Sequence, residues 1–486
     1  MSDPYRPTFH FTPPSMWLND PNGLVYYAGE YHLFYQYHPH STVWGPMHWG
    51  HAVSKDLVNW QHLPIALYPD ERGLIFSGSA VIDWKNTAGF GKEAMVAIFT
   101  YNNHTYDDKK RVEDQNIAYS TDRGRTWTKY AGNPVVPHPG NLTDFRDPKV
   151  FWHEDHWVMA LAAGDRVLFY ISPDLKHWES SGSFGGGYGS TLGVWETPDL
   201  FQLPVNGSDS RWVLTVGVGS GAYAGGSGTQ YFIGSFDGKT FISENPKETT
   251  LWMDHGPDFY APQSWNDEPT GRRIVVGWMS NWSYARLTPT ETWRGMLTLP
   301  RQLSLIQTSN GLRLIQKPIA ELTYLHREHI HWQDEVVTPK HDLLAGIQSR
   351  SLEINAEISV LKATKKFGFR IFVGEEEETV IYYQPEESLL YVDRSRSGQV
   401  GFQEDFARLQ SVPLAPIEGV IRLRILMDRS SVEVFANDGM VTLTDCIFSS
   451  AQSRGLKFFV EEGYLHLDSL DIYFLEPADF NITSIK

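Results

Sequence analysis

Along most of this chain the apolar residues come in short runs and not at helical spacing. YHLFYQYH, AMVAIFTY, HWVMALAA, RVLFYIS, WVLTVGVG, YFIGSF and RIVVGWMS are rich in β-branched and aromatic residues, with Gly, Pro, Asn and Asp between them. Runs of this kind predict strands, and long amphipathic helical patterns are nearly absent. A weak repeat overlies them: SKDLVNW ends at Trp60, STDRGRTW at Trp127, SPDLKHW at Trp178 and SFDGKTF at Phe241. Each is a serine, an Asp-containing turn and an aromatic, at intervals suited to one four-stranded unit. A β-propeller produces such repetition, because every blade needs the same outer turn and the same aromatic against its neighbour.

Near residue 310 the pattern changes. A Lys/Glu-bearing segment, KPIAELTYLHRE, is followed by plainly alternating stretches such as SLEINAEISV, FGFRIFV, VIRLRILM, SSVEVFAND and LHLDSLDIYF. Alternation of this length, with an Asn-Asp-Gly turn at Asn437 to Gly439, predicts two packed antiparallel sheets. The expected architecture is all-β: a propeller over 1–316, a linker over 317–328 and a β-sandwich over 329–486.

Composition narrows the partners. The chain has 486 residues, 41% hydrophobic and 14% aromatic, enough for two cores. Its formal net charge is −17 and no long basic run occurs, so nucleic acid and anionic membrane are excluded as partners and a neutral ligand fits. The 17 Trp, 23 Tyr and 26 Phe suit stacking on sugar rings as well as they suit β cores. Cys446 is the single cysteine and reads as a small core residue, which removes disulfides and multi-cysteine metal sites. No apolar stretch is long enough to span a bilayer. The absent signal-peptide pattern points to the cytosol, or to secretion if a leader was trimmed. Sequons at Asn103, Asn141, Asn206, Asn281 and Asn481 favour the second.

Three acidic segments carry the chemistry: WLNDPNG around Asp20, FRDPK around Asp147 and WETPDL around Glu196. A carboxylate beside Trp, Pro and Gly sits on a stiff turn, where its charge is held in place and its pKa can be moved. Acid–base and nucleophilic work on a sugar requires this. Each segment alone reads as an ordinary turn; three together do not. Trp195 and Pro198 predict an apolar setting for Glu196 that disfavours its charged form. His38, His40, His48 and His51 crowd one stretch, but no third ligand of recognisable pattern joins His48 and His51, so no metal is predicted. GSFGGGYGS and GSGAYAGGSG lack the Lys-Ser/Thr of a phosphate loop and read as mobile loops at the mouth of the site.

In order, WLNDPNG, FYQYHP, WGPMHWGHAVSKDLVNW, FSGSAV, FRDPKV, WETPDL, DFYAPQSW and GWMSNW resemble glycoside hydrolase family 32, the invertases, exo-inulinases and levanases, and the likeness is closest to bacterial levanase-type sequences. DRSSVEVF resembles the same family's sandwich. The resemblance implies a five-bladed propeller joined to a β-sandwich, with Asp20 as nucleophile, Glu196 as acid/base, and Arg146 and Asp147 binding fructosyl hydroxyls. It further implies that Asn19, Gln36, Trp44 and Ser77 contact the sugar and that Trp278 lines the funnel. One departure stands out: Thr197 follows Glu196 where many members have Cys, and its hydroxyl is expected to act on the Glu196 pKa.

The activity implied is retaining, exo-acting hydrolysis of terminal β-fructofuranosyl units of sucrose, levan or inulin, with no cofactor; the partner is a small or polymeric fructoside, and a homo-oligomer is compatible with it. A fructosyltransferase on the same fold, a non-catalytic sugar-binding propeller and an arabinan-cleaving relative are the alternatives.

Overall fold

The computed structural model describes residues 3–103, 111–205, 209–361 and 364–482. Five antiparallel sheets make the propeller. Blade I runs Met16–Tyr27, Glu30–His38, His48–Ser54 and Trp60–Leu67. Blade II is Leu74–Asp83, Ala94–Asn102, Glu113–Ser120 and Thr128–Lys129. Blade III is Phe145–His153, His156–Ala163, Arg166–Ser172 and Glu179–Gly185, and blade IV starts with Trp195–Val205, Asp209–Val218 and Gly228–Phe236. Blade V is Tyr260–Ser264, Arg273–Met279, Arg301–Thr308 and Gly311–Pro318. Blade V closes on blade I where Trp293–Arg294 pairs in parallel with Met16–Tyr27.

The repeated Ser–Asp turns join the third strand of a blade to the next one outward. Asp56 Oδ1 accepts from the Val58 and Asn59 amides, Asp122 Oδ1 from Arg125 and Thr126, Asp174 Oδ1 from Lys176 and His177, and Asp237 Oδ1 from Lys239 and Thr240. One short side chain thus satisfies two turn amides in each of four blades.

A second repeat faces the axis. In every innermost strand the ladder slips by one residue: between Leu18 and Pro21, Ile75 and Gly78, Arg146 and Lys149, Glu196 and Asp199, and Tyr260 and Gln263. Each is a β-bulge, which re-aims side chains and, in blades III to V, relieves the ladder of an amide that proline lacks. In blades III to V the bulge has one form: a residue facing the axis (Arg146, Glu196, Tyr260), a left-handed residue (Asp147 φ 66, Thr197 φ 48, Ala261 φ 50), then Pro148, Pro198 or Pro262.

After a 3₁₀ turn at Ala320–Leu325 the sandwich begins with His326–Val337, inside the segment expected as linker. Its two sheets have six and five strands and share a core that includes Ile354, Phe369, Ile381, Ile425, Val434 and Ile472. Asn437–Gly439 turns between Ser431–Ala436 and Val441–Cys446. The last strand, Phe480–Ile482, leaves the sandwich and pairs in parallel with Trp60–Leu67 of blade I.

The propeller–sandwich contact contains buried charges. His10 Nδ1 lies 3.0 Å from Asp428 and its Nε2 2.9 Å from Glu433, all three side chains fully buried. Burial alone would lower the His10 pKa, but the two carboxylates overcome it and raise it to about 9, so the ring is an imidazolium. Buried Arg301 bridges Glu433 of the sandwich and Asp254 of the propeller, and buried Arg394 pairs with Asp258.

Candidate active site

The axial cavity holds about 330 Å³ and is lined by Asn19, Asp20, Gln36, Trp44, Ser77, Arg146, Asp147 and Glu196, eight of the nine residues expected there. Trp278 is the exception. It is fully buried behind the wall, packed on Trp17 and Trp282, and Trp282 of the same GWMSNW segment lines the cavity instead. Trp278 lies within Arg273–Met279 opposite Tyr260 and is covered by Trp282, which lies on the loop beyond the strand.

Asp20 sits in the blade I bulge. Asn19 Nδ2 donates to its Oδ1 at 3.0 Å and Ser77 Oγ to its Oδ2 at 2.6 Å; Trp17 Nε1 in turn holds Asn19 Oδ1 at 2.8 Å. The Asp20 pKa is raised to about 6: burial pushes it up, the Ser77 hydrogen bond pulls it down, and the charge of Glu196 pushes it up again. Gln36 is oriented by Asn22 of the same DPNG turn, whose Oδ1 accepts from Gln36 Nε2 at 2.9 Å.

Glu196 is held from two sides. Arg146 donates to Oε1 from Nε at 3.2 Å and Nη2 at 2.8 Å, and the buried Tyr260 hydroxyl makes a short hydrogen bond to Oε2. The apolar setting expected for Glu196 is therefore absent, because alternation turns Trp195 into the blade core and leaves Glu196 facing a guanidinium and a phenol. Arg146, Glu196 and Tyr260 hold the same bulge position in three consecutive blades, and that equivalence is why they meet. Arg146 also binds Glu113 and Asp144 through Nη1.

Asp147 accepts the Thr197 amide at 2.9 Å on Oδ2. Burial drives its pKa well above the ordinary carboxylate range despite the opposing Arg146, and Glu196 and Asp20 add to the rise. Thr197 thus acts on the site through its backbone. Its buried hydroxyl makes no hydrogen bond to Glu196 or to any other described residue, contrary to the expected influence on the acid.

Other expectations meet the coordinates here. His51 bonds His32 and stacks on Phe34, while His48 faces the Pro46 carbonyl; three residues apart on one strand, they point to opposite faces. Neither glycine-rich segment lines the cavity or hangs loose. Ser190 is tied to Gln230, and the loop 219–228 is pinned by Asn281 and by Tyr223, whose hydroxyl donates to the Ser411 carbonyl. Gly226 is required there, at φ 64 with Asn281 Oδ1 2.1 Å from where a Cβ would stand. Asn281, only 1% exposed, is inaccessible to a glycan in the fold, and Asn206 lies outside the described residues. Glu113 and Arg286 also line the cavity without any motif of their own.

Two carboxylates acting at one anomeric carbon are the usual means of breaking a glycosidic bond, and the axial cavity of this propeller brings carboxylates together. The protein is a glycoside hydrolase. Residues 10–318 match the glycosyl hydrolases family 32 N-terminal domain and residues 321–474 the family's C-terminal domain, so the chain belongs to glycosyl hydrolase family 32. It is 52% identical to the levanase of Bacillus subtilis (strain 168), over 98% of this chain and 71% of that protein. The crystal structure of exo-inulinase from Aspergillus awamori superposes with a TM-score of 0.89 at 35% identity, covering 98% of this chain and 99% of that one. The fructofuranosidase of Schwanniomyces occidentalis in complex with fructose gives 0.90 at 32%, with 98% and 99% covered.

Proposed function

We propose that this chain removes terminal β-fructofuranosyl units from fructans, levan first among them, by a retaining mechanism. The observation that carries the reading is the meeting of Asp20 with Glu196 in one cavity, each carboxylate already oriented by hydrogen bonds. At about 330 Å³ the cavity is at the small end of ligand-site volumes (about 300–1,000 Å³), suited to one terminal ring and its linkage. A levanase and exo-inulinases among the relatives support the substrate class.

On this reading Asp20, ionised above its pKa, attacks C2 while Glu196 gives its proton to the departing oxygen, and a fructosyl ester forms. Glu196 then takes a proton from water, the hydroxide equivalent attacks C2, and the ester opens to fructose and free Asp20. Asp147 and Arg146 hold ring hydroxyls, and these bonds tighten as oxocarbenium charge develops. The propeller, whose last strand ends at Pro318, carries the chemistry, and the sandwich from His326 onward supports it.

Purified protein should release free fructose as its first product from levan, inulin and sucrose, with the highest kcat/KM on levan. Longer oligosaccharides as the main early product would make it a transferase, and no release would leave a sugar-binding propeller. Asp20→Ala and Glu196→Ala should each lower kcat by about 10²–10⁴-fold or more with the fold intact; near-normal turnover in either overturns the assignment.

A further inference from the structure

The outer face of the sandwich carries a second group of converging side chains, remote from the propeller cavity. His329 and His331 lie two residues apart on His326–Val337, so the pleat puts both rings on one face. On the neighbouring strand Leu465–Leu475, Asp471 stands directly opposite His331, and Tyr473 opposite His329. His329 Nε2 is 2.6 Å and His331 Nδ1 2.8 Å from the same atom, Asp471 Oδ1. All three donor atoms lie within 4.8 Å of one another, the one such triad among the described residues.

The surroundings hold this triad in place without covering it. His329 stacks on Tyr473 at 4.4 Å and 6°, and His326 stacks on Tyr473 at 4.1 Å and 14°. His326 is engaged with Glu353, which also takes Arg424, so the charges beside the triad are already paired. Both triad histidines are 44% exposed, which leaves the solvent side open to water ligands. Two imidazole nitrogens and one carboxylate oxygen form the donor set of borderline divalent cations, with metal–ligand bonds of about 2.0–2.2 Å. Calcium needs six to eight oxygens and magnesium an octahedral oxygen shell, and neither is offered.

We propose that His329, His331 and Asp471 form a surface site for one borderline divalent cation of the zinc, nickel or copper class. His326–Val337 is an edge strand of its six-stranded sheet, and the cation would fasten it to its neighbour by side-chain coordination. The site takes no part in the hydrolysis.

The test uses the untagged full chain, stripped with chelator and dialysed. Titration with zinc chloride in a calorimeter should show one cation per chain, unaffected by excess magnesium or calcium, and cobalt in its place should give visible absorption bands. His331→Ala and, separately, Asp471→Asn should weaken zinc binding by about tenfold or more and abolish the cobalt bands, with sucrose hydrolysis unchanged as the check on folding. Absence of saturable binding at millimolar zinc, or undiminished affinity in both variants, overturns the proposal.

Discussion

At the scale of single residues, Asp20 shows how a propeller tunes an acid. Burial and the nearby Glu196 charge raise the pKa of this carboxyl while the Ser77 hydroxyl and Asn19 amide pull it down, and the net is about 6. A nucleophile must be ionised, so the acidic limb of kcat/KM should fall in that region. Ser77→Ala removes a donor to the ionised form, so the limb should move to higher pH, with activity at pH 5 lost more than activity at pH 8. A pH–rate profile checks this, and a limb that stays put would detach Ser77 from the nucleophile. Asp20, Asp147 and Glu196 were legible in the sequence because each carries a stiff neighbour. Trp278 was misplaced because two tryptophans four residues apart in GWMSNW look alike, and only the end of the strand at Met279 decides which one turns to the cavity.

At the scale of the element, the bulged inner strand explains what the sequence concealed. Tyr260 lies in DFYAPQSW with no role assigned to it, yet the order Tyr-Ala-Pro repeats Arg-Asp-Pro and Glu-Thr-Pro, and the bulge gives all three the same outlook. The outer Ser–Asp turns announce the blades at first reading, since their signal is local. The inner repeat is hidden because its middle residue varies from Asp to Thr to Ala, sharing only the left-handed backbone that proline's neighbour adopts here. Tyr260→Phe keeps the ring and removes the hydroxyl that reaches Glu196 Oε2. It should lower kcat about tenfold or more, with KM for sucrose less affected and the thermal midpoint nearly unchanged; equal turnover would make Tyr260 mere packing.

For the whole molecule, the buried charges that join propeller to sandwich make the union sensitive to alkali. His10 has a folded pKa near 9 against 6.5 unfolded, so its contribution is complete below 6.5 and is lost as pH rises through 9. The amount is on the order of 3 kcal/mol. Asp445, raised to about 7 by burial, and Asp147, raised by burial as well, act in the same sense, so the difference between the parent and His10→Gln across the interval from 7 to 9 reports His10. Denaturant midpoints should decline across it, and His10→Gln should flatten that slope while lowering stability at pH 6.5. The architecture of the sheets was readable from alternation; these clamps were not, because partners such as His10 and Asp428 lie 418 positions apart. The same remoteness governs assembly. Phe480–Ile482 completes the outer edge of blade I, so that sheet waits with an unpaired rim until a segment some 420 positions further along has been made. Making this sheet and completing it are far apart in time, and a chain cut short before Phe480 would carry a sticky flank on blade I.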